Sequence, residues 1–265
     1  MQRYFVEPEQ MRDNQVIITG EDANHIVRVM RMKPNEKIIV SDGVSRTALA
    51  RISESEPASV VAEIVEWLPR NSEPAWSITI AQSLPKGDKM ELVIQKGTEI
   101  GAMAFLPFQS KRMIVQYDGK KEAKRLERWS KIAKEAAEQA HRHRIPIISQ
   151  VHSWRELLKA AEGFDLVLFC YEQEGHAAHG RGIGTAVKEW RSKQEEMGKA
   201  DEKANSPKVL LVVGPEGGFA EEEASQAEEA GAICVSLGKR ILRTETAGIV
   251  GLTCLLYESG EMGGA

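Results

Sequence analysis

The stretch of this 265-residue chain that decides its fold runs from Val209 to Phe219 and reads Val-Leu-Leu-Val-Val-Gly-Pro-Glu-Gly-Gly-Phe. An apolar β-branched run that ends in a glycine-rich turn and then opens a helix is typical of ligand sites at the carboxyl ends of strands in α/β proteins. Pro215 and the glycine pair fix a backbone path that brings bare N–H and C=O groups close to a ligand. The stretch therefore predicts a site for a small molecule.

The turn itself does not identify that molecule. It has neither the Gly-Lys-Ser/Thr ending of a phosphate-binding loop nor the Gly-x-Gly-x-x-Gly of a dinucleotide fold. Three glutamates follow at residues 221–223, where they suit the positive end of a helix dipole and argue against a polyphosphate. An ordinary capped turn between a strand and a helix is an equally good interpretation of these residues alone.

A second loop of the same kind follows at once. A predicted strand at residues 233–237 ends in a polar loop that starts at Gly238, before an apolar helix at residues 249–257. Because the carboxyl ends of neighbouring parallel strands share one crevice, the two loops are expected to form a single cleft.

Composition narrows the class of protein. Lys and Arg number 35 against 39 Asp and Glu, so nucleic-acid binding must come from local patches and not from the field of the whole molecule. Cys170, Cys234 and Cys254 lie in apolar runs at no metal-ligand spacing, which favours buried, reduced thiols. No apolar run approaches the roughly 20 residues of a membrane span, and the start of the chain does not resemble a signal peptide. We expect a cytoplasmic protein without a metal site.

The pattern of predicted strands and helices changes once along the chain. Residues 1–70 read as short strands with one helix near Asp22 that carries Ile26, Val29 and Met30 on one face, which predicts a small β-barrel. Residues 75–265 alternate strands and helices, including a long helix at 120–144, and predict a mostly parallel sheet covered on both faces. Residues 171–207 are polar and predict a partly disordered surface excursion with a helix around 185–196.

Several motifs together resemble the RsmE family of the SPOUT superfamily of RNA methyltransferases. The two loops read Gly-Pro-Glu-Gly-Gly-Phe at 214–219 and Leu-Gly-Lys-Arg-Ile-Leu-Arg-Thr-Glu-Thr-Ala at 237–247. Further matches are Arg-Tyr-Phe at 3–5, His-Ile-x-x-Val-x-Arg at 25–31, Lys-Gly-Asp-Lys-Met-Glu at 86–91, Gln-Lys-Gly-Thr-Glu-Ile-Gly at 95–101 and Glu-Gln-Ala-x-Arg at 138–142. The likeness covers nearly the whole chain.

The resemblance implies an α/β protein with a PUA-like RNA-binding barrel at 1–70 and a SPOUT domain at 75–265 whose C-terminal loops form a trefoil knot. It implies a homodimer that uses S-adenosylmethionine to methylate N3 of a uridine in 16S ribosomal RNA, in the small ribosomal subunit. It also implies a set of cofactor-binding residues: Leu211, Gly214, Pro215, Glu216, Gly217, Gly218, Leu237, Gly238, Ile241, Leu242, Thr246 and Ala247.

Methylation of a uridine N3 needs a cation near the base and an acceptor for the N3 proton. The candidate catalytic residues are Arg243, Glu245, Lys86 and Arg142. The proton acceptor stays open, because Asp88, Glu138 and Glu216 are also carboxylates that burial could tune, and Glu245 with Thr246 could instead cap the following helix.

Basic residues are concentrated at 120–144, with nine Lys or Arg against four Glu. A solvated helix face explains such a segment as well as RNA binding does. The candidate RNA-binding residues are Arg3, Arg28, Arg31, Arg112, Lys124 and Arg128. His141 and His143, at the end of the predicted helix, are expected to cap it or to face RNA.

Two other functions are alternatives to methyl transfer. A non-catalytic ribosomal RNA-binding protein with a vestigial cleft is the alternative, although the intact glycines and Arg243-Thr244-Glu245 argue against it. A nicotinamide-dependent oxidoreductase is disfavoured, because no Gly-x-Gly-x-x-Gly follows the first strand of the sheet.

Overall fold

The computed structural model describes residues 1–69, 72–114, 119–171, 181–198 and 206–263. The chain forms two compact units: one comprises Met1–Glu73 and Lys134–Ile145, and the other Pro74–Ala133 and Pro146–Ala265. The segment 134–145, which the sequence pattern assigns to the second domain, therefore belongs to the first unit.

The first unit is built on a five-stranded sheet that curls into a half-barrel. Its strands run in the order β1-β3-β4-β5-β2, with β1 parallel to β3 and the other neighbours antiparallel. They are β1 (Arg3–Phe5), β2 (Gln15–Thr19), β3 (Lys37–Ser41), β4 (Thr47–Glu56) and β5 (Ser59–Trp67). Alternate residues of these strands point into one apolar core, which is why each strand shows a hydrophobic period of two.

The helix predicted near Asp22 is present, but half of it has another geometry. Helix α1 (Gly20–Asn24) continues as one turn of π-helix at His25–Val29. Ile26 is buried, whereas Val29 is 66% exposed, so the prediction that these two residues share a face is wrong. The wider π turn rotates the later residues out of the phase of an α-helix.

The second unit holds a six-stranded sheet in which every pair of neighbours is parallel, in the order β11-β9-β10-β6-β7-β8. The strands are β6 (Ser77–Ser83), β7 (Ala104–Phe108), β8 (Ile147–Ile148), β9 (Leu166–Cys170), β10 (Lys208–Val213) and β11 (Ile233–Val235). The helices are α2 (Lys89–Ile100), α3 (Gly119–Gln139), α4 (Trp154–Ala161), α5 (Ile183–Glu196), α6 (Glu221–Glu229) and α7 (Thr244–Glu258).

Helices cover both faces of this sheet. Leu210 and Val212 of β10 join one apolar cluster with residues of α4 and α6. Leu211, between them in sequence, points to the opposite face and meets α7, where a Cβ added at Gly251 would lie 2.7 Å from Leu211 Cδ2. The continuous apolar sequence of β10 follows from burial on both sides.

The helix predicted around 185–196 is present as α5, but it packs in the core, which corrects the prediction of a surface excursion at 171–207. Helix α5 buries Ile183, Ala186, Val187 and Trp190, which recur at helical spacing on one face. The Trp190 ring lies edge-on to Trp76 with 6.3 Å between ring centroids. The predicted disorder at 172–180 and 199–205 lies outside the described residues.

Helix α3 ends at Gln139, five residues earlier than predicted, and His141 then adopts a φ of 56°. His143 is buried, and its Nδ1 lies 2.7 Å from Thr47 Oγ1. The expectation that His143 caps the helix or faces RNA is therefore wrong.

Among the described residues, no helix is long and apolar enough to cross a membrane. The trefoil knot stays a prediction.

Candidate functional site

A cleft of about 1180 Å³ opens at the carboxyl ends of β9, β10 and β11, where the two glycine-started loops meet. It lies wholly within the second unit. The residues that line it are Lys89, Arg112, Cys170, Tyr171, Val213, Gly214, Pro215, Glu216, Gly217, Gly218, Phe219, Glu221, Val235, Leu237, Ile241, Leu242, Arg243, Thr244 and Ala247.

Phe219 packs against the glycine turn that starts at Gly214 and fixes its position. Its ring packs on Phe169 with 4.1 Å between centroids, in a cluster that also holds Phe108 and Trp154. A Cβ at Gly214 would lie 3.0 Å from the Phe219 ring, and Gly218 has a φ of 63°. The turn therefore needs glycine at Gly214 for space and at Gly218 for backbone conformation.

The second loop is tied to the first through α7. Thr244 Oγ1 donates to the carbonyl of Gly214 at 2.6 Å, and Gln82 Nε2 donates to Thr244 Oγ1 at 2.8 Å. Both side chains are buried. One hydroxyl thus joins the end of β6, the glycine turn and the start of α7.

Lys89, at the start of α2, faces two carboxylates. Its Nζ lies 2.7 Å from Glu216 Oε1 and 3.8 Å from Glu245 Oε2. The backbone N–H of Lys86 also donates to Glu216 Oε1, at 3.1 Å. The Glu245 side chain is 12% exposed, and its Oε2 is buried without a hydrogen-bond donor among the described residues.

The environment of Glu216 favours the ionised form. Burial alone would raise the pKa of Glu216, but the hydrogen bond from Lys89 and those from backbone N–H groups outweigh it, so the pKa lies below its ordinary value. Its partner responds in the opposite direction, since the hydrogen bond to Glu216 raises the pKa of Lys89. The cleft rim therefore carries a persistent ion pair at neutral pH.

Most of the predicted cofactor residues line this cleft. They are Gly214, Pro215, Glu216, Gly217, Gly218, Leu237, Ile241, Leu242 and Ala247. Leu211 is buried against α7, which corrects its assignment to the cofactor. Gly238 and Thr246 are not among the lining residues.

The structure separates the four candidate catalytic residues. Arg243 lines the cleft, and Glu245 lies beside it near Lys89. Lys86 is exposed and approaches the site only through its backbone N–H. Arg142 belongs to the first unit, is 3% exposed, and its Nη2 lies 2.6 Å from Glu73 Oε2. A buried, paired guanidinium is not available to a substrate, so Arg142 is reassigned to the interior of that unit.

Arg3 and Glu138 are corrected in the same way. Arg3 is 6% exposed, and its Nη1 donates to the carbonyl of Arg142 at 2.5 Å, so it is not available to an RNA phosphate. Glu138 also lies in the first unit, where its Oε1 accepts the backbone N–H of Phe5 at 3.1 Å. It is therefore not a proton acceptor in the cleft.

The other RNA-binding candidates are exposed. Arg28, Arg31 and Lys124 face solvent, Arg128 forms an ion pair with Glu91, and Arg112 lines the cleft. Three residues of the cleft are not among the predicted site residues: Lys89, Tyr171 and Thr244. Lys89 had a usable signal, because it stands in the motif at 86–91, but nothing local to Thr244 indicates that it reaches Gly214.

Within the described residues, no group of three or more His, Cys, Asp or Glu side chains could hold a metal ion.

Residues 71–256 match the RNA methyltransferase domain family, and residues 18–65 match the RNA methyltransferase PUA domain family.

Similar proteins cover nearly the whole chain. The ribosomal RNA small subunit methyltransferase E of Bacillus subtilis is 40% identical over 98% of this chain and 97% of its own length. A crystal structure of the Neisseria gonorrhoeae ribosomal RNA small subunit methyltransferase E bound to S-adenosyl methionine is 31% identical over 97% of each chain, with a TM-score of 0.79. A Legionella pneumophila methyltransferase in complex with the cofactor SAM is 29% identical over 96% of each chain, with a TM-score of 0.78. The matched domains, the cleft and these relatives together show that the chain belongs to the RNA methyltransferase family whose members are named ribosomal RNA small subunit methyltransferase E.

Proposed function

We propose that this protein binds S-adenosylmethionine in the cleft and transfers its methyl group to N3 of a uridine in 16S ribosomal RNA. The observation that carries the proposal is the joining of the two glycine-started loops, at Gly214 and Gly238, into one cleft at the carboxyl ends of parallel strands. Relatives of 31% and 29% identity hold the same cofactor.

The residues of the cleft fit this cofactor. Its volume of about 1180 Å³ exceeds the roughly 300–1,000 Å³ of most ligand sites, which leaves room for a second molecule beside the cofactor. Leu237, Ile241 and Leu242 offer apolar contacts for an adenine ring. A Cβ at Gly217 would lie 3.1 Å from the carbonyl oxygen of Arg112, so glycine lets the turn pack closely against the loop that carries Arg112.

When bound, S-adenosylmethionine supplies an electrophilic methyl group on a sulfonium. The uracil N3 must lose its proton, and negative charge then spreads onto the exocyclic oxygens O2 and O4. Arg243 lines the cleft and carries a permanent charge that stabilises such an anion. Glu245 is the better proton acceptor of the two nearby carboxylates, because Glu216 is held ionised by Lys89 and its pKa is lowered.

We infer that the protein acts as a homodimer in the cytoplasm on the small ribosomal subunit. Cys254 and Tyr257 are exposed on α7, whose middle, residues 247–256, is largely apolar, which supports a second copy packing there. The free cysteines are compatible with a reducing compartment. Sedimentation of the wild type and of Tyr257→Glu tests the interface, since the charged variant should be monomeric if α7 forms it.

Arg243→Ala tests the chemistry. We expect this variant to keep its fold and its oligomeric state and to lose methyl transfer to unmethylated small subunits. Full activity of Arg243→Ala would contradict the role given to this residue. Calorimetry with S-adenosylmethionine separates the enzyme from a non-catalytic RNA-binding protein, because the latter would show no binding.

A further inference from the structure

The loop after β7 forms one wall of the cleft, and it is held there by a buried carboxylate. Glu223, in the first turn of α6, is 3% exposed. Its Oε1 accepts the backbone N–H of Lys111 at 2.8 Å, and its Oε2 accepts the backbone N–H of Ala220 at 2.8 Å. The second bond caps α6, whereas the first reaches 112 residues back along the chain and does nothing for that helix.

Glu223 differs from the two glutamates before it. Glu221 and Glu222 are exposed, and Glu222 pairs with the side chain of Lys111 at the surface. A carboxylate taken out of water is costly unless both oxygens are satisfied, and each oxygen of Glu223 is bonded to a backbone group of a different loop. The residue at position 223 must therefore supply an acceptor for the loop at Lys111 as well as the cap of α6.

A second anchor acts on the preceding residue of the loop. Ser110 is buried, and its Oγ lies 2.7 Å from the Oγ of Ser83 at the end of β6. Directly after these two anchored residues, the backbone of Arg112 packs against Gly217, and the Arg112 Nη1 donates weakly to the carbonyl of Gly217 at 3.3 Å. The loop after β7 and the glycine turn after β10 are thus held against each other.

The residue that these two anchors position is Arg112. Its guanidinium lines the cleft and is exposed. No carboxylate of the described residues forms an ion pair with it, unlike Lys89, which Glu216 neutralises. A guanidinium has five donors, and one of them is engaged by the part of the chain that the structure describes, so the others suit a phosphate oxygen pair. Two anionic groups meet at such a cleft, the methionine carboxylate of the methyl donor and the phosphate backbone of the target RNA, and the fork of an exposed guanidinium at the edge of the cleft suits the phosphate.

We propose that Arg112 binds an RNA phosphate beside the target nucleotide and that Glu223 is the positioning residue that holds Arg112 over the cleft. This inference rests on the proposed function. It predicts that Glu223 acts on RNA binding through Arg112, although Glu223 itself touches no substrate.

The test compares Glu223→Gln and Arg112→Met, with Glu222→Gln as the matched control. The glutamine keeps the size of Glu223 but offers one acceptor, so its amide N–H₂ must face a backbone N–H. We measure binding to transcribed 16S ribosomal RNA at several salt concentrations, the KM and kcat for methyl transfer, and calorimetric binding of S-adenosylmethionine.

Both variants should raise the KM for RNA about tenfold and lower the salt slope of RNA binding by about 0.7, the value for one contact to single-stranded RNA. S-adenosylmethionine affinity should stay within about twofold, and Glu222→Gln should match the wild type. The double variant should bind RNA no more weakly than Arg112→Met alone, because the two residues act as a unit.

Multiplicative losses in the double variant, or a wild-type salt slope in Glu223→Gln, would overturn the proposal and leave Glu223 as a helix cap. If Glu223→Gln does not fold, Ser110→Ala removes the other anchor and must give the same RNA defect. Absence of methyl transfer by the wild type would refute the proposed function instead, and the salt slopes would still decide the role of Arg112.

Discussion

Lys89 Nζ lies 2.7 Å from Glu216 Oε1 and joins the start of α2 to the glycine turn after β10. The same ammonium lies 3.8 Å from Glu245 Oε2 at the start of α7. Three elements that are far apart in sequence therefore meet at one charge on the rim of the cleft.

Lys89→Met should weaken binding of S-adenosylmethionine by about threefold to tenfold, because two partly buried carboxylates lose their shared counter-charge and the turn loses an anchor. Calorimetry measures the effect. Lys96→Met is the matched control, since Lys96 also pairs with a glutamate at 2.7 Å on the same helix but does not line the cleft. Equal affinities for the two variants would show that the rim ion pair does not shape the site.

Thr244→Val should lower the free energy of unfolding by about 1–3 kcal/mol. The change removes the hydroxyl that bonds both Gly214 and Gln82. The Gly214 carbonyl then keeps a long 3.4 Å contact with Gln82 Nε2, which also donates to the carbonyl of Ser83 at 3.1 Å. Thr253→Val, on the same helix, removes only a bond to the carbonyl of Ile249 and should cost less than about 0.5 kcal/mol. Denaturant unfolding of both variants checks this, and a larger loss in Thr253→Val would contradict it.

The first unit should show a pH-dependent stability set by Glu138. Burial raises the pKa of Glu138 to about 7, despite the opposing charge of Lys134 and the hydrogen bond from Phe5. Because the folded state binds this proton more tightly than the unfolded state, the stabilisation is complete below about pH 4.5 and is lost as the pH rises through 7.

The corresponding loss in unfolding free energy is on the order of 2 kcal/mol after allowance for solvent screening. Glu138→Gln has no proton to lose and should flatten the decline between pH 5 and 7.5. Urea unfolding at each pH measures it. A decline of unchanged slope in Glu138→Gln would assign the pH dependence to other groups.

Local sequence patterns predicted much of the fold. Short apolar runs at 104–108 and 166–170 that end at polar or turn residues predict two strands, and β7 and β9 have these bounds. The glycine turn and the loop starting at Gly238 were both located by the same reasoning. Each signal lies within about ten residues, which is the range over which periodicity and turn chemistry act.

The errors arise where the role of a residue depends on a distant partner. Arg142 and Arg3 read as available cations, but they are buried with Glu73 and a backbone carbonyl of the same unit. Leu211 reads like its neighbours, and only the pleat of β10 turns it toward Gly251. Glu223 is one of three adjacent glutamates, and its bond to Lys111 spans 112 residues.

The most direct test of the account is the transfer of labelled methyl from S-adenosylmethionine to small ribosomal subunits that lack the modification, followed by mass mapping of the nucleoside. We expect the label in one uridine of 16S ribosomal RNA, as 3-methyluridine, with the wild type and its absence with Arg243→Ala. Label in another base, in another RNA, or at equal levels with Arg243→Ala would contradict the proposed reaction.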